Sequence, residues 1–257
     1  MSYQTVLLNK ENGIAMITLN RPEVQNALNK QMQEELSAIL TELKKDKDTR
    51  VMIITGAGDK AFSAGRDLKE YAAAKATPLE VWEGMAGQAA TALLAQMTKP
   101  VIAAINGYAI GGGLELALAC DIRLASDRAT FGFYEIRRGF FPGGGATWRL
   151  SPLVGKSWAM EMILGGEGID AATAEKIGLV NRMVPHAELL PAARKLAETI
   201  ASRSPAAVML AKQAINQAWS AFEASGANIG VALRALAETN EERAAATQAF
   251  VEKKENK

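Results

Sequence analysis

The sequence offers little for metal, disulfide or long-range electrostatic chemistry. Its 257 residues include one cysteine, which leaves no internal disulfide, and one histidine, which leaves no metal-binding cluster. Lys and Arg number 29 against 28 Asp and Glu, a formal net charge of +1, so nothing in the charge balance argues for nucleic acid or an anionic membrane as a partner. No uncharged apolar run approaches transmembrane length. Met1 to Gly13 has neither the apolar stretch of a signal peptide nor the Arg/Ser-rich pattern of a transit peptide, so a reducing, cytoplasmic setting is expected. What is present is ordinary globular composition, 49% hydrophobic and 22% charged, in a chain long enough for one large core with an appendage.

Apolar runs at Gly13–Asn20, Val51–Thr55 and Val101–Ile105 read as buried strands, and Leu179–Val184 as a last short one. Asn20-Arg21-Pro22 ends the first, because proline cannot join a central ladder. Asn29 is an N-cap for an amphipathic helix whose apolar face is Met32, Leu36, Ile39, Leu40 and Leu43. Further helices are expected over Asp67–Ala74, Thr77–Met97, Ala146–Leu150, Lys156–Leu164 (with Met160, Ile163 and Leu164 on its apolar side) and Ala171–Ile177, capped by Asp170. From Ala187 onward the chain is alanine-rich and helical, with breaks at Ser204-Pro205 and around Ser225-Gly226. Strands alternating with helices, then helices alone, give an α/β core over residues 1–190 and a helical region over 191–257. Gly56-Ala57-Gly58-Asp59-Lys60-Ala61 formally matches a dinucleotide fingerprint, but that motif must open a helix. Here it runs into Phe62-Ser63-Ala64-Gly65, a short extended piece, so it reads as a turn.

The stretch that organises the rest is Asn106 to Glu135. A buried strand leads into Gly111-Gly112-Gly113, and an apolar helical run follows over Leu114–Ala119. Glu115 is the one charged residue in that run. A carboxylate on a helix that is apolar all round is costly unless paired, hydrogen-bonded or protonated. The glycine triplet sits at a helix N-terminus, where N–H groups and the dipole favour an anion. Read alone, it is equally a tight turn that packs the helix onto the strand.

Ile105-Asn106-Gly107-Tyr108-Ala109-Ile110-Gly111-Gly112-Gly113-Leu114-Glu115-Leu116, followed by Cys120-Asp121-Ile122-Arg123-Leu124-Ala125, resembles the signature of the crotonase (enoyl-CoA hydratase/isomerase) superfamily. So do Asn20-Arg21-Pro22 with Asn26-Ala27-Leu28, Ala61 to Lys69, Ala174 to Val180, and Ala249-Phe250-Val251-Glu252-Lys253. The resemblance covers nearly the whole chain in the family's order. It implies a spiral of repeated strand-strand-helix units and a C-terminal helical region used for trimer contacts, in a homotrimer or dimer of trimers. It implies an acyl-CoA substrate, no separate cofactor and no metal, and a thioester oxyanion held by two backbone N–H groups, here those of Arg66 and Gly112. Such donors are worth about 3–4 kcal/mol each where charge develops. Coenzyme A is expected along Val24 and along Ala64, Arg66, Asp67, Leu68 and Lys69. Lys69 either meets a phosphate or is simply solvated. Phe250 and Lys253 are expected to reach the coenzyme A of a neighbouring subunit.

In the family's hydratases two glutamates act together, and they fall here on Glu115 and Glu135. Two carboxyls sharing one water cannot comfortably both ionise, so the pair supplies an acid and a base near neutral pH. By that analogy Glu135 protonates the α-carbon and Glu115 holds and activates water. Without the family match, Glu135 reads as a surface carboxylate paired with Arg137 or Arg138. Three features depart from the common pattern: Tyr134 in place of proline before the second glutamate, Arg137-Arg138 with Phe140-Phe141 before Pro142, and a bulky Arg66 after Gly65. His186 reads as exposed and inert, Cys120 as a core residue, and Asp121 as a cap or orienter of the next strand. The activity expected is cofactor-independent hydration of a 2-enoyl-CoA. The alternatives are an isomerase or another acyl-CoA lyase or hydrolase of the fold, a catalytically dead CoA- or RNA-binding member, and, weakest, a nicotinamide oxidoreductase.

Overall fold

The computed structural model describes residues 3–73 and 90–237, together with Ala249. Strands β1 (Val6–Glu11), β2 (Ile14–Leu19), β3 (Val51–Gly56), β5 (Val101–Ile105), β7 (Ile122–Ser126) and β10 (Arg182–Val184) form one sheet in the order β1-β2-β3-β5-β7-β10. All its pairs are parallel except β1 with β2. A second sheet has the order β4-β6-β8-β9, from β4 (Ala61–Ser63), β6 (Tyr108–Ile110), β8 (Thr130–Gly132) and β9 (Ile169–Asp170). The helices are α1 (Lys30–Lys45), α2 (Leu68–Ala73), α3 (Ala90–Ala95), α4 (Gly112–Leu118), α5 (Ala146–Gly165), α6 (Ala171–Lys176), α7 (Leu189–Ala201) and α8 (Pro205–Ala237). Three times a strand of the large sheet is followed by a strand of the small one and then by a helix: β3-β4-α2, β5-β6-α4 and β7-β8-α5. This is the strand-strand-helix spiral the sequence resemblance implied.

The large sheet has two dry faces, and the strand sequences show why. Along β2 and β3, Ala15, Ile17, Leu19, Met52 and Ile54 join one core, while Ile14, Val51 and Ile53 join another. Alternate residues point to opposite faces, so a strand buried on both sides must be apolar throughout. The first core lies between the two sheets and takes the apolar stripe of α1, all five residues of which are buried. The Asn29 side chain caps that helix, accepting the Met32 N–H at 2.9 Å. The second core is closed by Leu189, Ala193, Ala197 and Ala201 of α7. Helix α7 therefore covers the sheet.

Several expectations change. Strand β1 has no strong apolar pattern; it is an edge strand with Leu7 half exposed. On the part of α5 that follows Gly155 the buried residues are Ala159, Met162 and Ile163, whereas Met160 and Leu164 are exposed; Gly155, at φ 79° and ψ 158°, interrupts the helix and resets its phase. The break foreseen at Ser225-Gly226 is absent, and α8 runs through it. Gly226 and Gly230, one turn apart, lie against Trp148, and a Cβ on either would overlap that side chain. Glycine serves close packing there, not termination. Asp170 caps α6 as expected, at 2.8 Å from the Thr173 N–H. The turn reading of residues 56–61 holds, since the chain bends from β3 into β4 with no helix. Of the helix foreseen over 77–97, residues 77–89 lie outside the described residues. No helix among the described residues is long and apolar enough to cross a membrane.

Candidate active site

Buried polar side chains fasten the loops that meet at the glycine triplet. Asn26, fully buried, donates to the carbonyls of Ala57 and Ala61 at 3.0 and 2.8 Å and accepts the Arg21 N–H. Arg21 in turn reaches the Ala27 carbonyl at 2.7 Å and the Asp67 carboxylate at 2.9 Å. The Ser63 hydroxyl donates to the Asn26 carbonyl at 2.8 Å. The motifs around residues 21, 26 and 63–67 are thus one fixed unit, and the Asp67 side chain is committed to it.

That unit aims the Arg66 amide. Leu28 donates to the Gly65 carbonyl at 2.7 Å, and Asp67 donates to the Leu28 carbonyl at 3.0 Å, a parallel bridge between Leu28 and Arg66. In such a bridge the Arg66 N–H points away from Leu28. Gly65, at φ 86°, lies against β6, and a Cβ there would stand 3.2 Å from the Gly112 nitrogen. The Arg66 nitrogen is 3.7 Å from where a Gly112 Cβ would project. The backbone nitrogens of Arg66 and Gly112, on separate elements and the second at the start of α4, therefore lie close to each other.

The two glutamates meet beside them. Glu115, buried on α4, accepts the Gly144 N–H at 2.5 Å and the Ala146 N–H at 3.3 Å on the same oxygen. A Cβ on Gly144 would collide with that carboxylate. The Pro142-Gly143-Gly144-Gly145 run, legible in the sequence only as a glycine-rich approach to a helix, thus holds Glu115. Burial raises the Glu115 pKa, while the Gly144 and Ala146 amides and the Arg66 and Arg149 charges pull it down. Glu135 opens a 3-10 turn over Ile136–Arg138, and its carboxylate lies against Gly111, where a side chain would collide with it. Its Oε2 is buried with no hydrogen-bond partner among the described residues. Burial first, and the Glu115 charge second, push its pKa from 4.5 up to about 8. Of the surface-pair alternative for Glu135, the Arg137 half is not what is seen, because Arg137 instead pairs with Glu167 and stacks on the Tyr134 ring at 4.8 Å, whereas the Arg138 charge does act on Glu135 and pulls its pKa down. Tyr134 packs against Gly132 and Gly168, and the replacement of proline leaves Glu135 directed at Gly111.

A cavity of about 730 Å³ opens on both carboxyls. Its wall includes Ala64, Arg66, Asp67, Leu68, Gly112, Glu115 and Glu135 from the sequence-based set, with Phe140 and Phe141. It also includes Arg234, from the far end of α8, which sequence reasoning missed: nothing local marks that arginine, and only the tertiary path of α8 brings it there. Val24 and Lys69 are exposed and stand outside this wall. Phe250 and Lys253 lie outside the described residues.

The lesser candidates sort as follows. Cys120 is a core residue, its thiol pushed up to about 12 by burial. Asp121 accepts the Val101 N–H and the buried Lys212 ammonium, both at 2.7 Å, so it anchors the start of β5 and ties α8 to the core. His186 is not an exposed loop residue: its ring meets the Ser126 hydroxyl at 3.0 Å and Asp59 at 3.6 Å, joining three segments at the sheet end.

Residues 9–257 match the family model described as enoyl-CoA hydratase/isomerase. The chain is 42% identical over 260 residues to a probable enoyl-CoA hydratase of Mycobacterium tuberculosis, covering 99% of this chain and 97% of that protein. It is 42% identical over 217 residues to a short-chain-enoyl-CoA hydratase of Clostridium acetobutylicum, covering 84% and 83%. The crystal structure of an enoyl-CoA hydratase/isomerase from Xanthobacter autotrophicus Py2 superposes with a TM-score of 0.87 at 30% identity, over 96% of this chain and 93% of that one. With a match over nearly its full length and a fold shared with solved members, the chain belongs to the enoyl-CoA hydratase/isomerase family.

Proposed function

We propose that this protein is an enoyl-CoA hydratase that adds water reversibly across the double bond of a 2-enoyl-CoA thioester. The observation that supports the reading is the meeting of two carboxyls in one cavity beside two neighbouring backbone amides. One carboxyl, Glu115, is clamped by the N–H groups of Gly144 and Ala146, which favour its ionised form. The other, Glu135, keeps a buried oxygen without a donor among the described residues and a pKa raised to about 8, which favours its protonated form. Burial raises both pKa values, and the amide clamp, present on Glu115 alone, makes it the partner to ionise first and so the base, with Glu135 the acid.

The thioester carbonyl docks between the Arg66 and Gly112 amides, and the negative charge that develops there is held by both. Glu115 orients a water toward the β-carbon and takes its proton as the oxygen–carbon bond forms. Glu135 gives its proton to the α-carbon as the enolate collapses. Moving a double bond would need only one such acid, so the retained pair favours hydration. Coenzyme A belongs to the substrate, no further cofactor enters the reaction, and its run past Ala64 to Lys69 follows from where the thioester must sit. The working assembly is a trimer or a dimer of trimers, and the setting is cytoplasmic.

The test is the loss of enoyl-thioester ultraviolet absorbance when crotonyl-CoA is added to the purified protein. Rapid loss with 3-hydroxybutyryl-CoA as product is the expected result. A protein that binds the thioester and leaves the absorbance unchanged is not this enzyme.

A further inference from the structure

Glu115 is held only as well as the N–H groups that hold it are aimed. Those groups belong to Gly144 and Ala146, at the entry to α5. Gly145 between them sits at φ 137° and has no side chain to cap the helix. A run of three glycines has little of its own to keep it in one conformation. One residue fastens both peptide groups between Gly144 and Ala146. The Arg149 side chain donates from Nη1 to the Gly144 carbonyl at 3.3 Å, and the Arg149 backbone N–H donates to the Gly145 carbonyl at 2.8 Å. The Gly145 carbonyl shares its rigid peptide plane with the Ala146 N–H, so fixing one aims the other. A Cβ on Gly145 would overlap Nη1, which places the guanidinium directly on this backbone. Its own carbon stands 5.6 Å from the centre of the Trp148 ring, within cation–π reach, and Trp148 lies against Gly226 and Gly230 of α8.

Two further observations set Arg149 apart from an ordinary helix residue. It is the fourth residue of α5, where the positive end of the helix dipole disfavours a cation, and no acidic residue of that first turn offsets it. It also stands behind the site. Gly143 and Gly144 line both the cavity of the two carboxyls and a second cavity of about 1630 Å³, whereas Arg149 lines only the second. Resting on the hydratase reading above, we infer that Arg149 is a positioning residue for Glu115: it braces the Gly144-Gly145 backbone from the side away from the substrate, so that the Gly144 and Ala146 amides stay aimed at the carboxylate. Its charge acts in the same sense. With Arg66, from the turn between β4 and α2, it pulls the Glu115 pKa down against burial, while the neighbouring Glu135 is the acid that shares the site. Arg149 makes other interactions within the chain, and the brace does not require it to be otherwise free.

The test is crotonyl-CoA turnover across pH in Arg149→Met and Arg149→Lys, with binding of unreactive butyryl-CoA measured alongside. Arg149→Met should lower kcat by about 10–100-fold, the scale expected when a reacting group is slightly misplaced, and leave the butyryl-CoA dissociation constant within about twofold. Glu115 must be ionised to take a proton from water, and it loses both a cation and its aimed donors. The acid limb of the kcat/KM profile should therefore move to higher pH. Arg149→Lys keeps the charge with a poorer reach, and should recover part of kcat and bring the limb back toward that of the parent. Arg149→Gln, polar but neutral, replaces the methionine variant should that one not fold, with the same expectations. An unchanged kcat and limb overturn the inference and leave the hydratase reading standing. A lower kcat with an unmoved limb also overturns it, since a purely structural arginine would act in that way. A parent that binds butyryl-CoA and does not hydrate crotonyl-CoA contradicts the hydratase reading, and this inference falls with it.

Discussion

Glu135 is the residue whose environment says most about its role. Its carboxyl pays for burial beside Glu115 by holding a proton in the folded state up to about pH 8, against an ordinary 4.5. Between those values the folded chain binds a proton that the unfolded chain has lost, so stability falls as pH rises through that window and levels off above it. Glu135→Gln removes the titration. The variant should therefore show a flatter stability-against-pH curve than the parent between pH 5 and 8, read by urea denaturation. Parallel curves would mean that Glu135 is ionised in the fold. Much of this site was legible in the sequence, because a glutamate alone on an apolar helix and a glycine triplet before it are anomalies that local rules expose. The clamp from Gly144 and Ala146 and the reach of Arg234 were not, because each depends on where a distant backbone or helix lies. His186 shows the same limit, since its neighbours Ser126 and Asp59 come from the end of β7 and the turn after β3.

Among the elements, the buried strands were the easiest to foresee, and the longest helix was the one misjudged. Continuous apolar runs leave a double-covered parallel strand few alternatives. Ser225-Gly226 read as a break because glycine is a poor helix residue in isolation. Tertiary packing overrode that preference, since Gly226 and Gly230 let α8 lie directly on Trp148. The two effects set a quantitative contest for Gly226→Ala. Helix propensity gains about 1 kcal/mol, but a Cβ overlapping Trp148 Cβ costs about 1–3 kcal/mol or more by overpacking. The backbone of α5 cannot yield as a side-chain tip does, so packing should win. The variant should melt a few degrees lower than the parent by calorimetry, and a higher melting temperature would show that α8 stands off from Trp148. Helix α5 was misjudged in another way, because Met160 and Leu164, read from the sequence as part of its core face, are exposed.

At the scale of the molecule, one unit, strand-strand-helix, is used three times at unequal spacing, which is why no fixed period marks it in the sequence. The first β4–α2 turn brings the Arg66 amide, the second brings Gly112 and Glu115, and the third brings Glu135 and the Gly144 clamp. The spiral stacks them at one place. The same architecture leaves Leu210, Ile215, Trp219, Ile229 and Leu236 of α8 exposed, more apolar surface on one helix than a solitary chain usually shows water. For the proposed trimer or dimer of trimers, light scattering should give a mass three or six times that of the chain, and a monomer at micromolar concentration would contradict that assembly. The central claim is that Glu115 and Glu135 divide base and acid between them, and it is tested most directly by crotonyl-CoA turnover in Glu115→Gln and Glu135→Gln, with binding of a saturated thioester measured alongside. Each substitution should lower kcat by about 10²–10⁴-fold with binding largely kept. Wild-type turnover in either variant would contradict the account.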